Sequence, residues 1–235
     1  MEQMTPEVLY EDNHVIVAVK PAGVLSQADG TDAPDMLGIL KGYLKEKYNK
    51  PGNVYLGLVH RLDRNVEGVM VFARTDKAAS RLSEQIRTGK TTKRYRAVVN
   101  GLFPQKEGRL EDIIRKVKTD QGFRAVIKNS ISCNADKKAV LDYRITGEGK
   151  YKGKDVSLVD IRLETGRFHQ IRCQMSGASH PLLGDRKYGD RTFGDGKKIC
   201  LQSYMIGFYH PVKNEYMEFE IPVKQETPWN TFTEE

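Results

Sequence analysis

The sequence predicts an α+β fold, a mixed but mainly antiparallel central sheet flanked by helices and loops. Two observations lead there. Short runs of β-branched and aromatic residues recur in pairs separated by turn-forming residues: Val8 to Tyr10 with Val15 to Val19, Ala139 to Ile145 with Val156 to Leu163, and Ile199 to Phe208 with Tyr216 to Val223. Between such runs lie segments with helical spacing and recognisable start and stop residues. At 235 residues the chain is long enough to bury a real core, as one large domain or two small packed halves. No internal repeat, low-complexity tract or flexible linker divides it, so a single domain over 1–235 is expected.

The elements follow in order. The first hairpin turns through Glu11-Asp12-Asn13-His14, and Lys20-Pro21-Ala22-Gly23 breaks its second strand, because Pro removes a donor and Gly relaxes the backbone. Asp35 is placed to cap a helix from Met36 to about Tyr48, which Pro51-Gly52 closes off. Val54 to Val59 and Val69 to Ala73 read as buried strands joined by the charged run His60-Arg61-Leu62-Asp63-Arg64. Leu62 interrupts the charges, so that it anchors the loop while Arg61 and Asp63 point the other way. Thr75 caps a helix from Asp76 to Thr88, with Ala79, Leu82 and Ile86 on one face and Gly89 as its stop. In Lys93 to Asn100, Arg94, Arg96 and Val98 alternate with Tyr95, Ala97 and Val99, which puts Tyr95 on the core side. Gly108 to Ile114 reads as a strand, and the basic stretch 115–138 as a hairpin or a mobile insertion. The Gly-Lys-rich segment 147–154 reads as the turn of the next hairpin. A short helix begins near Phe168 and ends at Gly177, followed by an ordered loop from His180 to Gly189.

Composition excludes several classes. A hydrophobic fraction of 39% and a charged fraction of 29% fit a globular protein, and no apolar run approaches the roughly 18 residues of a membrane helix. The N-terminal residues lack the basic start and apolar stretch of a signal peptide. Cys133, Cys173 and Cys200 are odd in number and far apart, which argues against a disulfide framework or zinc knuckle and for a reducing, cytoplasmic setting. The five histidines show no metal-ligand spacing. A net charge of +7 suggests an anionic partner.

Two charged runs carry chemistry: His60 to Arg64 and, roughly a hundred residues later, Thr165-Gly166-Arg167-Phe168-His169-Gln170-Ile171-Arg172. A glycosidase would need two carboxylates about 5 to 10 Å apart; Asp63 and Glu67 are the near pair, and the turn between them need not hold them together. The run echoes the kinase H-R-D loop, but Leu62 splits Arg from Asp, and neither a G-x-G-x-x-G nor a D-F-G occurs. No G-x-S-x-G supports a hydrolase triad. Taken singly, the loop is a solvated turn, Tyr95 a packed strand aromatic, Arg172 a helix-end charge and 115–138 a solvated basic surface.

Together, His60-Arg61-Leu62-Asp63, the strand Lys93 to Gly101 and Gly166 to Arg172 resemble the three motifs of the RluA-type pseudouridine synthases. The resemblance extends to Tyr10-Glu11-Asp12 with Val17 to Gly23, to the stretch Gly177 to Gly189, and to Leu201 to Pro211, in order and over nearly the whole chain. It implies that family's fold, with a catalytic cleft across the sheet, and isomerisation of uridine to pseudouridine in structured RNA without cofactor or metal, on a flipped-out nucleotide. It further implies that Asp63 acts on the ribose, as nucleophile at the anomeric carbon or as base at the neighbouring one. Tyr95 matches the tyrosine that packs on the base and can assist proton removal, and Arg172 the arginine paired with the aspartate. Leu201 matches an apolar residue of the base pocket, and Arg61 one that can enter the gap left by the flipped base. Leu62, Arg64, Arg94 and Arg167 lie in the same motifs and are expected to line the substrate. His60, His169 and Gln170 are expected chiefly to orient it.

An Arg within about 4 to 6 Å of a partly buried Asp can hold its pKa roughly 1 to 3 units lower, which is what keeps a carboxylate ionised against a sugar. The resemblance has two departures: Val66-Glu67 stands where many relatives carry Thr-Ser, and Phe168 where they carry a small residue. Both point to altered loop packing or substrate. The small N-terminal RNA-binding domain of many relatives is not expected, and catalytic-domain-only relatives act on compact stem-loops in transfer or ribosomal RNA. A monomer is expected. The rival reading is a non-catalytic RNA-binding protein that kept the fold; the intact Asp63, Tyr95 and Arg172 set favours the enzyme.

Overall fold

A computed structural model of the chain describes residues 4–120, 122–189 and 198–232. The chain divides into two compact units, one of residues 1–92 and 203–221, the other of residues 93–202 and 222–235.

In the first unit, β1 (Glu7–Glu11) pairs antiparallel with β2 (Val15–Lys20), and β2 pairs antiparallel with β4 (Glu67–Ala73). Next to β4 lies β10 (Leu201–Tyr209), which forms a hairpin with β11 (Tyr216–Glu220). Alternation along the strands explains the core. Val15, Val17 and Val19 share a cluster with Val69, Val71 and Ala73 of β4, Ile206 and Phe208 of β10, and Ala78 and Leu82 of the helix α2 (Asp76–Arg87). Ile16, Ala18, Met70 and Phe72, on the opposite face, are buried as well. Strands covered on both faces account for the unbroken apolar runs in the sequence.

Both expected helix caps form. Asp35 accepts from Gly38 N ahead of α1 (Met36–Lys47), and Thr75 accepts from Ala78 N ahead of α2. The strand expected over Val54 to Val59 is largely absent. Only β3 (Gly57–Leu58) pairs, with Ala73 and Phe72 of β4, and Val54 and Leu56 are buried without strand structure. Gly68 opens β4 at a φ of +155°, where a Cβ would lie 2.3 Å from the carbonyl oxygen of Ser203 in β10. Nothing larger than glycine fits there.

The second unit is a meander of long strands in the order β5 (Thr92–Asn100), β9 (Lys154–Leu163), β8 (Asp136–Tyr151), β6 (Glu107–Thr119) and β7 (Gly122–Lys128). Each neighbouring pair is antiparallel. Two expectations change here. Segment 147–154 is not a long turn: β8 and β9 continue through it, past a register shift between Ile145 and Gly147, and only Lys152 and Gly153 turn, both with positive φ. The basic stretch takes the hairpin form, with β6 and β7 as its arms.

The segment beyond that hairpin is tied down by Asp136. Its carboxylate accepts from the Arg115 guanidinium at 2.7 and 2.9 Å and from the backbone amides of Ser132 and Cys133. These donors hold its carboxyl well below the usual range. The short helix α3 (Gln170–Gly177) docks on the meander, where Gln174 Nε2 donates to Asp112 Oδ2 at 2.7 Å. A cluster of Ile114, Ala125, Ala139, Cys173 and Tyr188, flanked by Phe168, packs the same place.

Candidate active site

In the first unit the run from His60 to Arg64 is held through its backbone at several points. The buried Ser26 hydroxyl accepts from Leu62 N at 3.0 Å and donates to Leu62 O at 2.9 Å. Gly23 N donates to Arg64 O at 2.7 Å, and Arg64 Nε returns a bond to Gly23 O. His60 Nε2 accepts from Val71 N of β4 at 3.1 Å, which ties the loop to that strand. Val66 N closes a turn on Asp63 O at 3.0 Å. Leu62 and Val66 are buried, Arg61 is exposed, and the Asp63 side chain is half-buried between these anchors. Val66, one of the two departures, thus fills core space under the loop.

Lys20 completes the frame. It is fully buried at the end of β2, and its ammonium donates to the carbonyls of Val24 at 2.8 Å, Pro21 at 3.0 Å and Arg64 at 3.1 Å. Burial pushes its pKa down to about 8, against the pull of Asp63 and Glu67. Three carbonyl dipoles and two nearby carboxylates make that position tolerable for a cation.

In the second unit Tyr95 sits on β5 opposite Ile161 of β9 and is buried, as the alternation predicts. Arg94, on the other face, is tied to Asp160 Oδ2 at 2.7 Å. Arg172 is buried on α3 and engages Asp185 through two parallel bonds, Nε to Oδ2 at 2.7 Å and Nη2 to Oδ1 at 2.8 Å. Such bidentate geometry fixes the plane of the guanidinium.

Arg172 also meets His169, whose Nε2 lies 3.1 Å from Nη1, and its guanidinium carbon stands 5.1 Å from the centre of the Tyr188 ring. His169 itself is held in the left-handed region at φ 51° and stacks on Phe168 at 3.8 Å. A guanidinium can only donate, so Nε2 must accept, and Nδ1 carries the proton that His169 gives to Tyr188 Oη at 3.0 Å. The same phenolic oxygen accepts from Ala125 N of β7 at 2.7 Å. Burial raises the Tyr188 pKa, which keeps the phenol neutral.

Gln170 spends both ends on its own turn. Its Oε1 accepts from Thr165 Oγ1 and Arg167 N, and its Nε2 donates to Val140 O. Arg167 donates from Nε to Lys138 O, and Leu201 is buried at the start of β10.

The sequence-predicted residues therefore fall in two groups, His60 to Arg64 in one unit and Arg94, Tyr95, Arg167, His169, Gln170, Arg172 and Leu201 in the other. Sequence reasoning missed four supports: Ser26, Lys20, Asp185 and Tyr188. A signal existed for three of them. Lys20 opens the Lys-Pro-Ala-Gly break, and Asp185 and Tyr188 lie in the loop expected to be ordered. Ser26 had none.

The sequence pattern of the RNA pseudouridylate synthase family matches residues 14–177. An Aquifex aeolicus protein described as an RNA pseudouridine synthase is 32% identical over 229 residues, which cover 94% of this chain and 70% of that one. A ribosomal large subunit pseudouridine synthase D from Zymomonas mobilis is 31% identical, with 94% and 70% covered. Among solved structures, human RNA pseudouridylate synthase domain containing 1 shares the fold, with a TM-score of 0.73, 24% identity, and 95% and 85% covered. The chain belongs to the RNA pseudouridylate synthase family. It is an enzyme that isomerises uridine to pseudouridine in RNA, as the motifs imply. Among the described residues no helix is long and apolar enough to cross a membrane.

Proposed function

We propose that Asp63 is the catalytic carboxylate and acts on the ribose of a uridine flipped out of a structured RNA. The bond from N1 of the base to the anomeric carbon breaks, the base turns, carbon 5 bonds to the same sugar carbon, the proton on carbon 5 leaves, and N1 takes up a proton, so that the product is an isomer of the uridine. Tyr95 packs on the base and takes part in that last proton removal. Arg172, its plane set by Asp185, is the positively charged partner of that carboxylate. Leu201 lines the base pocket, Arg61 fills the gap in the stem, and Leu62, Arg64, Arg94 and Arg167 border the strand, with His60, His169 and Gln170 as orienting groups. The two units work as one catalytic domain over 1–235, without cofactor or metal, as a cytoplasmic monomer.

The observation that carries this reading is the pinning of the Asp63 loop. Its neighbours Leu62 and Arg64 are fixed by Ser26, Gly23 and Lys20, while the Asp63 side chain itself stays half-exposed. A carboxylate whose loop is held through its neighbours' backbone is kept in position for chemistry. The RNA is a stem-loop of ribosomal or transfer RNA. Relatives such as the Zymomonas mobilis protein are described as acting on the large ribosomal subunit, which favours that RNA as the first to assay. The test is to map pseudouridine across cellular RNAs with and without the gene, then to restore it with wild type or Asp63→Asn. A site lost with the gene and restored by wild type alone is expected. Restoration by Asp63→Asn overturns the assignment of Asp63.

A further inference from the structure

Among the described residues, Lys93 is a cation with no counter-charge. It lies on β5 two residues before Tyr95, so both side chains leave the same face of the strand. It is half-buried, and loss of water lowers its proton affinity, with no charged group opposing that effect. Among the described residues no hydrogen bond or ion pair reaches its ammonium.

Its neighbour on β5 shows the contrast, because Arg94 is spent on Asp160. Lys20, the other desolvated lysine, has three carbonyls. Facing Lys93 is Gly166, at the start of the turn that leads to Arg172. A Cβ placed on Gly166 would stand 3.8 Å from Nζ, in ordinary van der Waals contact, so the ammonium lies against this glycine. A partly desolvated ammonium without partners is costly, and a group of opposite charge arriving from outside removes the cost.

We propose that Lys93 binds a non-bridging oxygen of an RNA phosphodiester beside the target uridine. This rests on the reading of Tyr95 as the residue that packs on the target base. A neutral base carbonyl would leave the charge uncompensated, whereas a phosphate neutralises it. A compact ammonium with three rotatable donors suits a phosphate oxygen. Lys93 is then unlike the exposed lysines of the β6–β7 hairpin, since its site is already stripped of part of its water.

The experiment compares wild type, Lys93→Met and Lys93→Arg on a synthetic RNA stem-loop that carries the mapped uridine. Binding is followed against salt concentration. Lys93→Met should flatten the slope of log K against log salt by about one, and Lys93→Arg should keep it. KM should rise by about tenfold in Lys93→Met while kcat stays within about twofold, the pattern of a lost uniform binding interaction. A stem-loop with one neutral methylphosphonate next to the uridine should cost wild type about as much as the mutation does, and cost Lys93→Met nothing more at that linkage. The melting temperature of Lys93→Met should stay level or rise, because a desolvated charge is gone.

An unchanged salt slope overturns the proposal, as does the absence of any linkage at which the two losses overlap. A lowered melting temperature with unchanged RNA binding overturns it in favour of a structural role. If wild type modifies no uridine, the catalytic reading fails separately, and the salt slope on any uridine-containing stem-loop still decides for or against Lys93.

Discussion

The loop of Asp63 and the surroundings of Arg172 are held by opposite means. Asp63 is positioned through the peptide groups of its neighbours, by a serine hydroxyl, a glycine amide and a buried lysine. Arg172 is positioned through its own side chain, by a buried carboxylate, an imidazole and an aromatic face. The difference fits the two tasks proposed for them. A group that must meet the substrate with its own atoms is best fixed from behind, whereas one that sets a charge and a direction can have most of its donors occupied. Damage should therefore separate activity from stability in the first region and couple them in the second.

The largest effect on activity is expected from Asp63→Asn. It keeps shape and hydrogen bonding and removes the charge, so turnover should fall by more than about 10³-fold while the melting temperature stays near wild type. Product formed by purified Asp63→Asn at a wild-type rate would end the proposed role. In the other region Asp185→Asn leaves Arg172 buried beside a neutral amide, and about 3 kcal/mol of stability should go together with most of the activity. Urea unfolding of Asp185→Asn, Arg172→Met and the double variant should give less than additive losses; additive ones would dissolve the pairing.

Ser26→Ala orphans the amide and the carbonyl of Leu62 at once. A cost of about 1 to 3 kcal/mol is expected, with kcat lowered more than KM is raised. A variant with intact kcat would show that the Asp63 loop does not depend on that hydroxyl.

The remaining effect is a slope in pH. The Lys20 pKa is about 8 in the folded state and the ordinary 10.5 in the unfolded one. Between those values the unfolded chain holds a proton that the folded one has released. Wild-type stability therefore gains with rising pH in this window, by at most about 1.4 kcal/mol per pH unit from this group. Over the same window activity should fall, as the amine loses a donor to the carbonyls around Arg64. Lys20→Met should show neither trend, and parallel profiles for the two proteins would remove Lys20 from the frame.

Much of the first unit was legible in the sequence because its signals are local. Val15 to Val19 and Val69 to Ala73 are doubly buried strands, and Asp35 and Thr75 cap the helices that their positions announce. Val54 to Val59 carries the apolar pattern of a strand, yet only Gly57 and Leu58 meet β4, because burial alone does not require pairing. In the second unit Gly147 and Gly149 read as turn residues, yet both lie in β8, where Phe232 approaches within 3.0 and 3.6 Å of the Cβ positions they lack. The three motifs exposed the catalytic candidates, since those residues sit in contiguous runs. Their supports stayed hidden. Ser26 reaches Leu62 across 36 positions and Lys20 reaches Arg64 across 44, and no local pattern records such a pairing.

One bond in β7 gives the enzyme a built-in reporter. The amide of Ala125 is spent on the phenol of Tyr188, which in turn receives His169 beneath Arg172. The exchange of that single amide proton with solvent deuterium is therefore a clock on the seating of the guanidinium, readable from a hairpin strand without a substrate present. Its rate should rise in Tyr188→Phe and in Asp185→Asn, while the amide of Leu62, in the other unit, keeps its own time.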